Sequence, residues 1–190
     1  MTPALPLRTP RLVLRAFRPE DVDALLVFHS DPEAVRYVPY APRDRAGVVA
    51  VLERKVGSTR LAAEGDLLEL AVALEDGTVI GDVLLALRSV EHATIEVGYI
   101  FDPASGGRGY ATEAVRALLD LAFGELGARR VVARVDARNT ASRALLERLG
   151  LRLEAHLVEN EWFKGELGSE TDYAVLAREW TVSSGAGPRG

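Results

Sequence analysis

The chain has 190 residues, 48% of them apolar and 27% charged, with a formal net charge of −5 and no Cys. This is enough chain for one domain with a substantial core, and its acidic balance argues against nonspecific attraction to nucleic acid. The lack of Cys excludes disulfides, thiolate nucleophiles and cysteine metal sites, and it fits a cytoplasmic protein. No apolar run approaches the ~20 residues of a membrane span, and Pro3, Pro6, Arg8 and Arg11 interrupt any signal-peptide core.

Thr9 to Arg15 alternates weakly and predicts a first strand. Pro19, followed by Glu20 and Asp21, opens a helix carrying Val22, Leu25, Leu26 and Phe28. Asp31-Pro32-Glu33 predicts a shorter helix, ending in a stiff loop where Tyr37 and Tyr40 stand among prolines. These tyrosines either line a pocket or pack beneath the loop. Arg43 to Ala63 reads as mostly helical, with Gly57 as a break. Leu67 to Leu74 and Thr78 to Leu87 flank an Asp76-Gly77 turn signal and predict a hairpin. His92 to Phe101 is the next strand, Val131 to Val135 another, and Leu151 to Val158 with Thr171 to Ala177 a final pair. Helices are expected from Tyr110 to about Glu125, with apolar residues at steps of three and four, and from Asn139 to Leu149, stopped by Gly150. Residues 183–190 read as a disordered tail.

Between the strand ending at Phe101 and the helix beginning at Tyr110 lies a turn containing Gly106, Gly107 and Gly109. Strand, glycine turn and helix N-terminus together make an anion site, because the first N–H groups of a helix lack intrahelical acceptors and its dipole favours negative charge. No Gly-Lys-Ser/Thr triplet follows, which excludes a Walker loop, and the third glycine of a dinucleotide fingerprint is missing.

The segment Gly106-Gly107-Arg108-Gly109-Tyr110-Ala111 resembles the pyrophosphate loop of the GCN5-related N-acetyltransferases, Gln/Arg-x-x-Gly-x-Gly/Ala. The continuation through Thr112, Glu113 and Ala114 resembles the branch containing the ribosomal-protein N-terminal acetyltransferases. Gly106 departs from the Gln or Arg of the pattern, which removes a side-chain contact and keeps the backbone donors. The resemblance implies an α/β fold over about residues 7–180, a central mixed, mostly antiparallel sheet with splayed middle strands flanked by helices. It implies acetyl-CoA as acetyl donor, held by Gly107, Arg108, Gly109, Tyr110, Ala111 and Thr112. The pantetheine arm would lie along Tyr99, Ile100 and Phe101, with a backbone N–H near Ile100 polarising the thioester carbonyl. Asn139 would contact the donor, and Ser142 would protonate the departing thiolate. Another branch uses a Tyr where this chain has Leu146, and another places its base where this chain has Arg134.

Read without the resemblance, Asn139 is a helix N-cap and Ser142 a local first-turn residue, and both readings are compatible with the implied ones. Glu96 interrupts an apolar strand, either as general base for the attacking amine or as the partner of an arginine across the sheet. His29, His92 and His156 lack metal-ligand spacing and are expected at the surface, so no metal is expected. Glu159, Glu161, Glu166 and Glu170 surround Trp162 and Phe163, forming either an acidic, aromatic rim for a cationic amine or a solvated hairpin with two buried aromatics. The expected partner is an amine-bearing acceptor, bound in part by Tyr37, Tyr40, Glu96 and Trp162, with a second copy of the chain in a homodimer. At pH 7, deprotonating an α-amine of pKa about 7.8 costs roughly 1 kcal/mol, against roughly 4.6 kcal/mol for lysine. A site with one modest base therefore suits a protein or peptide N-terminus. The alternatives are a small-molecule amine or a non-catalytic acyl-CoA-binding module.

Overall fold

In the computed structural model, which describes residues 1–181, the chain runs β1 (Leu7–Arg8), β2 (Leu12–Arg15), α1 (Val22–His29), α2 (Arg45–Val56), β3 (Leu67–Leu74), β4 (Val79–Ser89), β5 (Thr94–Phe101), α3 (Tyr110–Gly124), β6 (Arg130–Asp136), α4 (Thr140–Arg148), β7 (Arg152–Phe163) and β8 (Glu166–Leu176). The strands form one sheet in the order β1-β2-β3-β4-β5-β6-β8-β7. Every adjacent pair is antiparallel except β5 and β6. This is the mixed α/β layout expected from the order of elements. The expected tail lies outside the described residues.

Each face of the sheet carries its own core. On one face α3 lays down Ala114, Val115, Leu118, Leu119 and Ala122, and α4 adds Leu145 and Leu146, against Leu12, Leu70, Val83, Ile95 and Val131. On the other face Leu25 and Phe28 of α1 and Val48 and Leu52 of α2 pack on Ala71, Ala73, Val79 and Ile100. Strand β3 is buried on both sides, which explains why its sequence is nearly continuously apolar instead of alternating. Truncating a residue such as Leu118, 1% exposed, to Ala would cost about 2–5 kcal/mol.

Four expectations need correction. Asp31-Pro32-Glu33 forms turns and no helix, because Asp31 Oδ1 takes the N–H of Glu33 at 2.7 Å and offers the backbone a local alternative. The Arg43 to Ala63 helix shrinks to α2, capped by Asp44 Oδ1 on the N–H of Gly47 at 2.8 Å and ended at Gly57. The final strands are longer than expected and meet at a tight turn where Lys164 and Gly165 both have positive φ. His92 and His156 are exposed as expected, but His29 is buried at 2% exposure.

His29 occupies the last turn of α1, on the side that faces the sheet. Its Nδ1 lies 3.0 Å from the Tyr40 hydroxyl and its Nε2 lies 3.4 Å from Asp82 Oδ2. Lys55 pairs with Asp82 at 2.8 Å and also with Glu69. Burial alone would lower the Lys55 ammonium pKa; the two carboxylates outweigh it and hold it above the ordinary lysine value.

Candidate active site

Strands β5 and β6 stay in register only at Thr94↔Arg130, Ile95↔Val131 and Glu96↔Val132. Beyond Glu96, β5 remains bound to β4 as far as Phe101, and β6 remains bound to β8 as far as Asp136. Each strand follows its outer neighbour, so a gap opens between them. The inner N–H and C=O groups of residues 97–101 lose their ladder partner there, and backbone groups of this kind demand one. An extended chain carrying amides fits such an edge.

At the end of β5 the turn is built by its own side chains. Asp102 Oδ1 accepts the N–H of Ala104 at 2.9 Å, and the Ser105 hydroxyl donates to the Asp102 carbonyl at 2.7 Å. Gly107 and Gly109 adopt φ of +74° and +79°, the left-handed region that disfavours a Cβ. Gly109 is the N-cap of α3, which leaves the first-turn N–H groups directed into the loop. Gly107, Gly109, Tyr110, Ala111 and Thr112 line one groove of ≈ 1620 Å³ with Phe101, and α4 closes its far side. Arg108 contributes its carbonyl, which accepts from Arg11 Nη1 at 2.9 Å.

Arg11 is a residue the sequence did not single out. Its backbone N–H and its Nε both donate to Glu113, at 3.0 and 2.7 Å, and its guanidinium sits 4.7 Å from the centre of the Tyr110 ring. The Thr9 hydroxyl donates to the same carboxylate at 2.6 Å. Burial would raise the Glu113 pKa, but these donors outweigh it and hold it below the ordinary glutamate value. The start of the chain is thereby tied to the first turn of α3. Arg148 of α4 also donates to Thr112 Oγ1 at 3.2 Å. Glu113 stands in the quoted motif, but its partners are a hundred residues away in sequence and no local pattern announces them.

Side chains alternate across β5. Val97, Tyr99 and Phe101 lie on the α3/α4 face, whereas Glu96 and Ile100 lie on the α1/α2 face. Ile100 is therefore a core residue by its side chain, and only its backbone is available to the gap. Glu96 stands beyond the cover of α1 and α2. Its Oε2 accepts from Arg88 Nε at 2.8 Å and from Arg134 Nε at 3.3 Å, while Oε1 accepts no hydrogen bond among the described residues. The expected arginine pairing is present, twice over. Arg134 is held above its ordinary pKa chiefly by Glu96. Glu170, on β8 beside this group, is pushed up by burial, against the pull of Arg134.

Asn139 caps α4, accepting the N–H of Ser142 at 3.1 Å. Ser142 meets β5 at Tyr99, whose hydroxyl lies 3.5 Å from the Ser142 carbonyl and within reach of its side chain. Glu96 and Ser142 thus approach the gap from opposite faces of the sheet. Trp162 is 74% exposed, so the reading with two buried aromatics does not hold. Lys164 Nζ donates to the Val35 carbonyl at 2.6 Å, docking the hairpin that carries Trp162 against the segment that carries Tyr37. Tyr40 instead turns its hydroxyl to His29, and the Arg43 guanidinium lies 3.9 Å from its ring centre. Among the described residues no group of His, Cys, Asp and Glu could hold a metal ion, and no helix is long and apolar enough to cross a membrane.

Comparison with known proteins agrees with this geometry. Residues 11–152 match the model of the acetyltransferase (GNAT) domain. The uncharacterised N-acetyltransferase p20 of Bacillus licheniformis is 31% identical over 92% of this chain and 97% of its own length. The putative ribosomal N-acetyltransferase YdaF of Bacillus subtilis is 32% identical over 56% of this chain and 58% of its own. Among solved structures, a GNAT-family acetyltransferase from Bacillus anthracis superposes with a TM-score of 0.83 at 26% identity, covering 92% of this chain and all of that one. A spermidine N-acetyltransferase from Vibrio cholerae, solved with CoA and spermine, shares the fold with a TM-score of 0.77 at 20% identity, over 90% of this chain and 98% of that one. The splayed strands, the glycine turn at a helix N-terminus and the family match converge on one assignment: the chain belongs to the GNAT family and is an acetyl-CoA-dependent N-acetyltransferase.

Proposed function

We propose that this enzyme acetylates the α-amine of a protein or peptide N-terminus by direct attack within a ternary complex. The observation that carries this reading is the position of Glu96 at the last registered pair before the strands part, with Oε2 fixed by two arginines and Oε1 open. Glu96 takes the proton of the attacking amine, directly or through one water. A β5 backbone N–H beside Ile100 holds the oxyanion that forms when the nitrogen adds to the thioester carbon. Ser142, across the gap, serves the thiolate released when the C–S bond breaks. With no Cys, the chain has no thiol to carry the acetyl group between substrates. The likeness to YdaF and the small cost of deprotonating an α-amine support a protein N-terminus over a lysine. The half-buried Glu170 and Asp172 nearby favour, as a second reading, a polyamine or other small cationic amine.

Thiol release from acetyl-CoA with a panel of acceptors tests this. The panel contains peptides with a free N-terminus, the same peptides with a blocked N-terminus and an internal lysine, polyamines and amino sugars. The free N-terminal peptides are expected to give the highest kcat/KM. A higher value for the blocked peptides or the polyamines overturns the α-amine assignment.

A further inference from the structure

Lys164 stands at the tip of the β7–β8 hairpin, where Phe163 pairs with Glu166 and both residues between them have positive φ. Such a two-residue turn is short and stiff, and it fixes where the lysine side chain starts. The hairpin overruns its neighbour. Glu170 of β8 pairs with Asp136, the last residue of β6, so the stretch from Ser169 back to Glu166 lies past the end of β6. Because β5 and β6 are parallel, this is the end at which the two strands part. Arg138, in the turn after β6, pairs with Glu166 and steadies the overhang. From the tip, Lys164 Nζ donates to the Val35 carbonyl at 2.6 Å. Val35 is fully buried in the core that also holds Ile100 of β5 and Val79 of β4, on the face where Glu96 lies. The bond therefore runs from the β8 wall to the β5 wall and crosses the mouth of the gap on the Glu96 face.

The two ends of this strap differ in firmness. Residues 30–42 form a closed loop of their own. The Arg43 N–H donates to the His29 carbonyl at 2.9 Å across its neck, and the Val35 N–H donates to the Asp31 carbonyl at 3.1 Å inside it. The hairpin tip has the lysine. Burial lowers the Lys164 pKa, and no carboxylate among the described residues stands near enough to oppose it. An ammonium on an exposed side chain that rests on a carbonyl can let go without unfolding its surroundings. We propose that Lys164 is a specificity-determining residue: its bond to Val35 straps the hairpin over the acceptor entrance and admits an amine at the end of a thin, flexible chain. The inference rests on the reading in which the acceptor meets Glu96. An extended chain end passes beneath the strap into the gap. An amine held close to a folded surface meets the strap first and reaches Glu96 only when the bond opens.

The test varies the room around one amine. The free N-terminal peptide of the panel, or the polyamine if that proves the better acceptor, is carried on a small folded protein through a linker of about two or about twelve residues. With the wild type, the short linker should lower kcat/KM at least about tenfold relative to the long one, the population shift that one charge-assisted hydrogen bond supports. Lys164→Met keeps an apolar stem, removes the donor and should cut that penalty to about threefold or less. Amide hydrogen exchange, which needs no acceptor, should quicken in the variant's hairpin while β3 stays protected. A purely structural role for Lys164 predicts instead that the variant loses activity equally with both linkers. Any of three results overturns the proposal: no linker penalty in the wild type, unaltered hairpin exchange in Lys164→Met, or a penalty that survives once the hairpin exchanges faster. The base assignment fails on a separate readout, the pH–rate profile of Glu96→Gln, and the α-amine assignment fails on the acceptor panel.

Discussion

Asn139 Oδ1 holds the N–H of Ser142 at 3.1 Å, so the residue that caps α4 also sets the position of the residue proposed to serve the thiolate. The two can be separated by experiment. Asn139→Ala should cost about 1 kcal/mol of stability through the lost cap and lower activity as α4 frays. Ser142→Ala leaves the cap bond intact, since it is made by the backbone N–H, and should lower kcat with an unchanged melting temperature. Turnover and thermal unfolding measured on both variants check this; wild-type kcat in Ser142→Ala would remove its hydroxyl from the chemistry.

Gly109 combines a demand of the backbone with one of the ligand. Its φ of +79° strains any residue with a Cβ, and an added Cβ would stand 3.5 Å from Arg11 Nη2. A valine there would confound folding with binding. Asparagine tolerates the left-handed region, so Gly109→Asn should lose only about 1 kcal/mol of stability while placing a side chain at the α3 N-terminus, where we propose that the acetyl-CoA pyrophosphate sits. Acetyl-CoA affinity by calorimetry should fall at least tenfold. Unchanged affinity would disprove the loop's role.

Where local chemistry decides, the sequence was readable. The Gly107 and Gly109 turn, the α3 stripe and the Asn139 cap follow from residues within one or two turns of each other, and they stand where expected. Features depending on distant partners were not readable. The anchoring of Glu113 by Thr9 and Arg11, the reach of Tyr99 to α4 and the burial of His29 against Asp82 each join segments whose juxtaposition only the sheet order creates. Glu96 lies between these cases. Its anomaly in an apolar strand was visible, and the arginine on either side was not.

Asp21 gives the fold an acid-sensitive point. Arg15 donates to both its oxygens, at 2.8 and 2.7 Å, and the Arg18 N–H donates to Oδ2 at 2.8 Å. Burial would raise the Asp21 pKa, but these bonds prevail and leave it below the ordinary aspartate value. A depressed folded-state pKa means that the stabilisation is complete above the unfolded value near ~3.9 and is lost as pH falls through the folded one. Asp21→Asn should therefore cost about 2 kcal/mol at pH 7 and progressively less toward pH 3. Urea unfolding across that range is the check, and a cost independent of pH would contradict the assignment.

The remaining prediction concerns Glu96. Its carboxylate is shared between Arg88 and Arg134, whose side chains are 44% and 51% exposed, so pairing alone contributes little, about 0.5 kcal/mol. Glu96→Gln keeps the shape and removes the proton acceptor. At pH 7 most of an α-amine of pKa about 7.8 is protonated, and the variant must wait for the neutral fraction that solvent supplies. We expect kcat/KM to fall at least tenfold near neutrality and to recover in part as pH rises past the amine's own pKa. The control is Arg88→Gln, which removes one partner of Glu96 but leaves the carboxylate and Arg134 in place. It should reproduce part of any loss of stability seen in Glu96→Gln without changing the shape of the pH–rate profile. If the two variants instead share one profile, Glu96 acts only as a counter-ion. The half-buried Glu170, already pushed toward a higher pKa by its surroundings, then becomes the carboxylate to replace next.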